Sequence, residues 1–537
     1  MSAALTEHSA AVDDGRHLAR GALANTLVLV ASNFRALFTF LIARLLGEAA
    51  LGRFGLMFAT VDLASRVATL GLEHAVVPFV ARAEAARNRS KVHTLFVRAV
   101  MLGAGASLAL AAVGIPVLLW AAGRREVDAF TGGASWMLLA LPGIALGRIA
   151  TGVSRGLLAM RNEFYSRGLG ETWVTTAVFV GAIALGIRDA APALAVVAGS
   201  TAGGLIAIWL AAIVVAKPGR IATSAPIGTT STEAAQGRGR RELQTENPQD
   251  TEGGPGDARR LLSFALPTAG SGLLNTLAQR VDVLLLGFFV GRAPGVTLES
   301  FGIFCAAAEV AGGLRKVRQV FDPILAPVAT TRHVTDREAL RETVAAPGRW
   351  VLAGQLPLVG VLMLAGGSVL SIYGSSFSAG GQWLALLALA HLTNSFSGLV
   401  ETLLVIERPS LNLMNAAVTV IAQTIVSFVL IPSMGVTGAA LAMCFGFALQ
   451  GALRFVELRQ VFGWAWPWRS LLRPAAAFAV AMLLAAALRS AALASLSSLA
   501  AELLAGAVFL AIYALMWLWM GPDPADKAVW KRLMTRS

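Results

Sequence analysis

The sequence predicts an all-α polytopic membrane protein with about 14 transmembrane helices, arranged as two six-helix lobes around a central cavity plus two C-terminal helices. Three observations predict this fold class: the composition, the spacing of long apolar stretches, and a sequence similarity between the two halves. Of 537 residues, 56% are apolar and only 14% are charged, and the mean hydropathy is +0.68. Such a composition excludes the surface of a soluble domain, so lipid surrounds the chain.

Stretches of about 20 apolar residues are long enough to cross the hydrocarbon core of a bilayer. The first six predicted spans are 22–46, 51–73, 95–121, 131–154, 168–187 and 192–216. After a polar interruption, eight more follow at 262–290, 299–319, 349–373, 380–406, 411–432, 436–458, 471–488 and 494–520. The first apolar run is too long for a signal peptide and is expected to be a retained helix.

These spans divide the chain into six segments. They are an N-terminal tail (1–21), a first lobe (22–217), a linker (218–259), a second lobe (260–460), helices 13 and 14 (461–521) and a C-terminal tail (522–537). The linker is rich in Gly, Pro, Ser, Thr and mixed charge, a composition typical of disordered connectors. It is therefore interpreted as a passive tether between the lobes.

Basic residues set the predicted orientation. Most of the 44 Lys and Arg fall on alternate loops, on the linker and on the C-terminal tail, while the other loops are nearly bare. Because cytoplasmic loops carry the excess of positive charge, both termini are expected in the cytoplasm. The net charge of +13 is dispersed over these loops, which favours contact with membrane lipid headgroups and argues against nucleic acid.

The second span of each half begins with a similar sequence, "FGLMFATVDLA" at 54–64 and "FGIFCAAAEVA" at 301–311. The matches include Phe54 with Phe301, Gly55 with Gly302 and Asp62 with Glu309. Because six spans return the chain to its starting side, the two halves form a parallel repeat about an axis along the membrane normal. Two lobes related in this way would face each other across a cavity.

Charged residues occur inside the predicted spans, although each costs about 2.5–3.5 kcal/mol at the centre of a membrane helix. They are Arg35, Asp62, Arg66, Arg148, Arg280, Asp282 and Glu309. Most belong to spans 1, 2, 7 and 8, which correspond between the lobes, so these charges are expected to converge on the central cavity.

The chain resembles bacterial polysaccharide flippases. The similarity lies in "ARLLGEAALGRFG" (43–55), in the seventh span and its flanks (261–291) and in "VLIPSMGVTGAALA" (429–442), within a likeness over most of 20–460. These flippases belong to the multidrug/oligosaccharidyl-lipid/polysaccharide exporter superfamily, with Wzx-type O-antigen flippases and lipid II flippases. The resemblance implies export of an undecaprenyl-pyrophosphate-linked oligosaccharide from the cytoplasmic to the outer leaflet of a bacterial inner membrane by alternating access. It also implies glycosyltransferases and a polysaccharide polymerase as partners.

A lipid pyrophosphate needs positive ligands inside the membrane, and guanidinium groups bind phosphate oxygens in a bidentate, permanently charged way. The leading candidates are Arg35, Arg66 and Arg280, followed by Arg148 and by Arg44, which the "ARLLG" pattern favours. Simpler interpretations remain open. Arg66 has the i,i+4 spacing for an ion pair with Asp62, and Arg44 and Arg148 could extend to the interfaces.

The deeper carboxylates, Asp62, Asp282 and Glu309, are candidates for carrying a coupling proton or sodium ion. Catalytic chemistry is not predicted, because the six histidines show no metal-ligand spacing and the sequence has no GxSxG or P-loop motif. The chain is therefore expected to be no enzyme and to use no cofactor or metal.

Two other functions compete with the flippase. A multidrug cation antiporter of the same superfamily would favour acidic and aromatic cavity residues, but this sequence has four arginines in its spans and three tyrosines in all. A membrane glycan polymerase or ligase would need a large outer loop, and every predicted outer loop is short.

Overall fold

The computed structural model describes residues 34–123, 134–216, 255–319, 337–466, 468–492 and 497–520, and within these ranges the chain is helical, without β-strands. The helices of the first lobe are α1 Phe34–Leu46, α2 Glu48–Ala68, α3 Leu72–Ala85, α4 Arg89–Gly123, α5 Leu141–Gly156, α6 Thr172–Ala184 and α7 Ala191–Ala216. A 3₁₀ turn leads into α5, and a π-helical segment, Phe164–Glu171, precedes α6.

The second lobe has six long helices, and the C-terminal pair adds two. They are α8 Pro255–Phe288, α9 Leu298–Gly312, α10 Arg337–Leu364, α11 Gly381–Glu407, α12 Pro409–Met434, α13 Val436–Phe462, α14 Leu472–Ala492 and α15 Ser498–Met520. Short helices, Arg315–Gln319 and Gly366–Ser371, connect some of them. Among the described residues, nine segments are long and apolar enough to cross a membrane, with two shorter apolar helices beside them.

The polytopic all-α prediction is confirmed, and most helix ends lie within a few residues of the predicted spans. Two spans differ more. After α2 the helix breaks at 69–71 and continues as α3, well past the predicted end at residue 73. The helix of the ninth predicted span, 349–373, is α10, which begins at Arg337 and ends at Leu364. The residues predicted as tails, the start of the first span and most of the predicted linker lie outside the described ranges. α8 begins at Pro255, so its first turn overlaps the end of that linker segment.

Local chemistry fixes several helix ends. At the start of α9, the Thr297 side chain accepts a hydrogen bond from the Ser300 backbone N–H, and the Ser300 hydroxyl oxygen accepts one from Thr297, which is a capping box. Pro409 occupies the first turn of α12, where its missing N–H costs nothing. Gly435, with a positive φ, makes the tight turn from α12 into α13.

Glycines bring the two lobes together. α2 of the first lobe packs against α8 and α9 of the second, and α3 also contacts α8. At the start of α2, a Cβ on Gly52 would lie 2.6 Å from the Leu298 carbonyl oxygen, and a Cβ on Gly302 would overlap the Glu48 carbonyl oxygen. The helices therefore approach at a distance that only glycine permits. Because both helices carry the repeated motif, the two halves of the repeat contact each other.

The C-terminal helices α14 and α15 pack on α10 of the second lobe. A polar contact adds to this packing: the Glu502 carboxylate accepts hydrogen bonds from the Ser368 backbone N–H at 2.8 Å and from its hydroxyl at 2.7 Å. Arg489 donates to the same carboxylate at 2.8 Å. Charge-assisted bonds of this length are strong in an apolar setting, so α14 and α15 are fastened to the second lobe.

Candidate functional site

A cavity of about 410 Å³ lies between the lobes. Its walls come from α1 and α2 of the first lobe and from α8, α9, α11 and α13 of the second. The charged side chains that line it are Arg280, Asp282, Glu309, Arg315 and Lys316. Aromatic groups, including Phe54, Phe58 and Tyr373, form part of the remaining wall. The cavity is therefore a chamber in which charged groups stand among apolar and aromatic walls.

Asp62 joins the two lobes beside this cavity. Its Oδ2 accepts hydrogen bonds from Nε and Nη2 of Arg280, both at 3.3 Å. Its Oδ1 accepts one from Nη2 of Arg148 at 3.2 Å. Arg280 belongs to α8 of the second lobe, whereas Asp62 and Arg148 belong to α2 and α5 of the first. One carboxylate thus holds a guanidinium from each lobe, and the Arg280 guanidinium also lies 5.9 Å from the Phe58 ring centroid.

A second carboxylate, Glu73, extends this network within the first lobe. It is buried, at 6% exposure, and its Oε1 accepts a hydrogen bond from Nη1 of Arg66 at 2.8 Å. Nε of Arg148 lies 3.9 Å from its Oε2, and Arg155 donates to its backbone oxygen. Asp62 and Glu73 together therefore contact four arginines, so the network carries excess positive charge beside the cavity.

The structure changes the predicted partner of Arg66. The i,i+4 spacing suggests an ion pair with Asp62, but the ion pair of Arg66 is with Glu73, beyond the helix break. Leu70 and Gly71 have positive φ values there, and this turn brings the start of α3 back toward the end of α2. Asp62 instead forms ion pairs with Arg148 and Arg280.

Of the five predicted arginines, Arg280 lines the cavity, whereas Arg66 and Arg148 belong to the network beside it. The other two lie elsewhere. Arg35 lies in the first turn of α1, and its side chain is outside the described residues. Arg44 is exposed and does not line this cavity, and its role as a substrate ligand stays a prediction. The cause is the helix face: Ile42 and Ala43 pack in the core, whereas Arg44 and the 46% exposed Leu45 face outward.

The predicted coupling carboxylates all lie at or beside the cavity. Asp282 is buried, at 2% exposure, and its Oδ1 has no hydrogen-bond partner among the described residues. Glu309, half-buried on α9, lines the same chamber. Cys305 lies one turn before Glu309 and packs against Gly55 of the first lobe.

Sequence reasoning missed a second buried ion pair, in the second lobe. Arg454 of α13 is 2% exposed and forms an ion pair with Glu401 of α11, with Nη2 of Arg454 2.8 Å from Oε2 of Glu401. Nη1 of Arg318 lies 3.8 Å from the same oxygen. The sequence suggests that Glu401 is a solvated carboxylate near an inner helix end. The available signal was a pair of opposite charges inside two predicted spans, 380–406 and 436–458. Glu73 was missed because the predicted second span ends there, whereas the helix continues.

Solved transporter structures share this architecture. A multidrug resistance MATE family transporter of the MOP superfamily, in an inward-facing conformation, superposes with a TM-score of 0.60 at 16% identity, over 81% of this chain and 94% of its own. The lipid II flippase MurJ gives 0.61 at 11% identity, over 92% and 98%. A Vibrio cholerae MATE transporter gives 0.52 at 15% identity, over 84% and 100%.

The two lobes, the chamber between them and these superpositions define the fold class: a polytopic membrane protein with the fold of MATE transporters and MurJ. Residues 18–315, more than half of the chain, match the family of polysaccharide biosynthesis proteins, and the chain belongs to that family. No curated protein matches it in sequence.

Proposed function

We propose that this protein is a flippase that moves an undecaprenyl-pyrophosphate-linked oligosaccharide from the cytoplasmic to the outer leaflet. The observation that carries the proposal is the Asp62 bridge, in which one carboxylate holds Arg148 of the first lobe and Arg280 of the second beside the chamber. A phosphate group offers the same kind of oxygen pair to a guanidinium fork. The pyrophosphate can therefore take the place of Asp62 on Arg280.

This exchange connects binding to movement. While Asp62 is the ligand of Arg280, the ion pair draws the lobes together. When a substrate phosphate replaces Asp62 as the partner of Arg280, the electrostatic attraction between the lobes weakens. The ion pair of Arg280 is then with the substrate. A ligand shifts a conformational equilibrium only by binding one state better than the other, and this exchange supplies such a difference. Arg148 and Arg66 remain neutralised in part by Glu73.

The charge of the chamber favours this function over a multidrug cation antiporter, which MATE-like folds also suit. Three cationic side chains, Arg280, Arg315 and Lys316, line the chamber against two carboxylates, Asp282 and Glu309. A site for organic cations would reverse this balance. We assign Asp282 and Glu309 to coupling: both lie where a proton or sodium ion entering the chamber would meet them. A glycan polymerase or ligase has no support in this arrangement.

The direct test replaces Arg280. We expect Arg280→Ala to reduce cell-surface glycan at least ten-fold, and Arg280→Lys to restore only part of it, because an ammonium keeps the charge but loses the planar fork. Arg292→Ala is the matched control, since Arg292 is an exposed arginine just beyond α8. Immunoblots of the membrane fraction measure abundance. Normal glycan export by Arg280→Ala would contradict the phosphate role.

The proposed orientation places the protein in a bacterial inner membrane with both termini cytoplasmic. We expect a cysteine introduced at Ser376, which is exposed between α10 and α11, to react with an impermeant maleimide in intact cells. A cysteine at Thr230 in the predicted linker should react only after permeabilisation. Both are introduced in a background with Cys305 and Cys444 replaced by alanine. The reverse labelling pattern would invert the topology.

A further inference from the structure

A second cavity, of about 140 Å³, lies within the second lobe and adjoins the first cavity. It is bounded by α8, α11, α13 and the short helix Arg315–Gln319. Gln279 and Arg315 line both cavities, and Nη1 of Arg315 donates a 2.6 Å hydrogen bond to Oε1 of Gln279 between them. At ~30 Å³ of liquid volume per water, the space corresponds to about five waters, so it admits one small ligand.

Two kinds of group line this second cavity. Three guanidinium groups face one carboxylate: Arg315, Arg318 and Arg454 against Glu401. Around them stand side chains that both donate and accept hydrogen bonds, namely Asn275, Gln279, Gln319, Asn394, Ser395 and Gln450. The excess of guanidinium groups suits one anion, and the amides and the hydroxyl suit a ligand rich in hydroxyl groups.

Several of these groups are buried in a way that points to a ligand. Nε of Arg454 and the hydroxyl of Ser395 are enclosed without a hydrogen-bond partner in the described chain. Arg454, Ser395 and Gln450 are all less than 5% exposed. Gly398 makes room for Arg318, whose guanidinium occupies the space that a Cβ at this position would fill. Buried polar atoms of this kind are costly unless something satisfies them.

We propose that this cavity binds an acidic sugar residue of the transported glycan, with its carboxylate on Arg318 and Arg454 and its hydroxyls on the amides and Glu401. Glu401 makes the cavity selective for an acidic sugar over inorganic phosphate. Its carboxylate accepts hydrogen bonds from sugar hydroxyls but repels a doubly charged phosphate. The shared wall of Gln279 and Arg315 places this sugar next to the chamber proposed for the pyrophosphate. The inference rests on the proposed function, because flipping is what brings a glycan between the lobes.

The probe is sodium glucuronate, added to the purified full-length protein in lipid nanodiscs and followed by saturation-transfer difference NMR. We expect saturable binding to the wild type and at least ten-fold weaker binding of neutral glucose. Arg318→Gln and Gln450→Met should each weaken glucuronate at least ten-fold. Arg292→Gln is the control and should bind as the wild type does. These variants leave the buried Arg454–Glu401 pair in place, and thermal unfolding checks that they are folded.

Absence of saturable glucuronate binding would overturn the inference, and so would unchanged binding by both variants. Displacement of glucuronate by equimolar inorganic phosphate would overturn it as well, since the cavity would then be a phosphate site. The proposed function is tested separately, by loss of export in Arg280→Ala. If export depends on Arg280 but glucuronate does not bind, the acidic-sugar site is wrong and the flippase assignment stands.

Discussion

Replacing Gly302 by leucine is expected to hold the lobes apart at the start of α2 and α9 and to reduce glycan export at least ten-fold. Any Cβ at Gly302 overlaps the Glu48 carbonyl oxygen, and this neighbour is backbone, so it cannot rotate away. Overpacking a close contact costs about 1–3 kcal/mol, and here moving the lobes apart relieves the overlap. A transporter that cannot restore this contact cannot complete its cycle.

Cys305 provides the measurement, because it lies between the lobes beside Gly55 and lines the chamber. In a Cys444→Ala background it is the only cysteine of the chain. We expect an impermeant maleimide, applied to intact cells, to label Cys305 several-fold more in Gly302→Leu than in the wild type. Gly105→Leu is the matched control, since a Cβ there meets nothing within 4 Å. Equal labelling and normal export in Gly302→Leu would show that this contact does not close the chamber on the side that the proposed orientation places outside.

Neutralising Asp62 is expected to produce the largest loss of stability. Asp62→Asn removes the carboxylate that two partly buried arginines share, and breaking one partner of a buried pair costs about 3–5 kcal/mol. Glu73 remains 3.9 Å from Nε of Arg148 and limits the loss on that side. The unfolding midpoint should therefore fall by several degrees, and export should fall with it.

A double-mutant cycle isolates the contact between the lobes. Arg280→Gln combined with Asp62→Asn should be less destabilised than the sum of the single variants, with a coupling energy of at least about 1 kcal/mol. Glu48→Gln, at the start of the same helix, is the control and should unfold close to the wild type. Additive effects in the cycle would mean that the Asp62–Arg280 contact contributes nothing to holding the lobes together.

The lobes and nearly all helices could be predicted from the sequence, because long apolar windows report burial in lipid directly. The approach of Asp62 and Arg280 could be anticipated, because charges placed deep in corresponding spans need partners. Arg148 belongs to span 4, which is not one of those corresponding spans, and its contact with Asp62 was not predicted. The pairing of these charges could not be predicted. Helical spacing favours an ion pair between Asp62 and Arg66, and only the turn at Leu70 and Gly71 brings Glu73 close to Arg66.

The second cavity was missed for a different reason. Its arginines lie near predicted helix ends, where apolar windows fade and solvated loops are the usual outcome. Arg454 nevertheless sits inside α13, which continues to Phe462. Whether a charge near a helix end is solvated or enclosed depends on the helices that pack around it. The hydropathy of a segment does not identify those helices.

The attachment of α14 and α15 to the second lobe through Glu502 makes the two bodies of the proposed alternating-access cycle unequal. If these helices travel with their lobe, a body built from eight predicted spans rocks against one built from six. Two bodies that rotate against each other in a viscous bilayer share the motion in inverse proportion to their friction, so the first lobe sweeps the larger angle. The second lobe then moves less, and lipid beside α4 and α7 is displaced more than lipid beside α14.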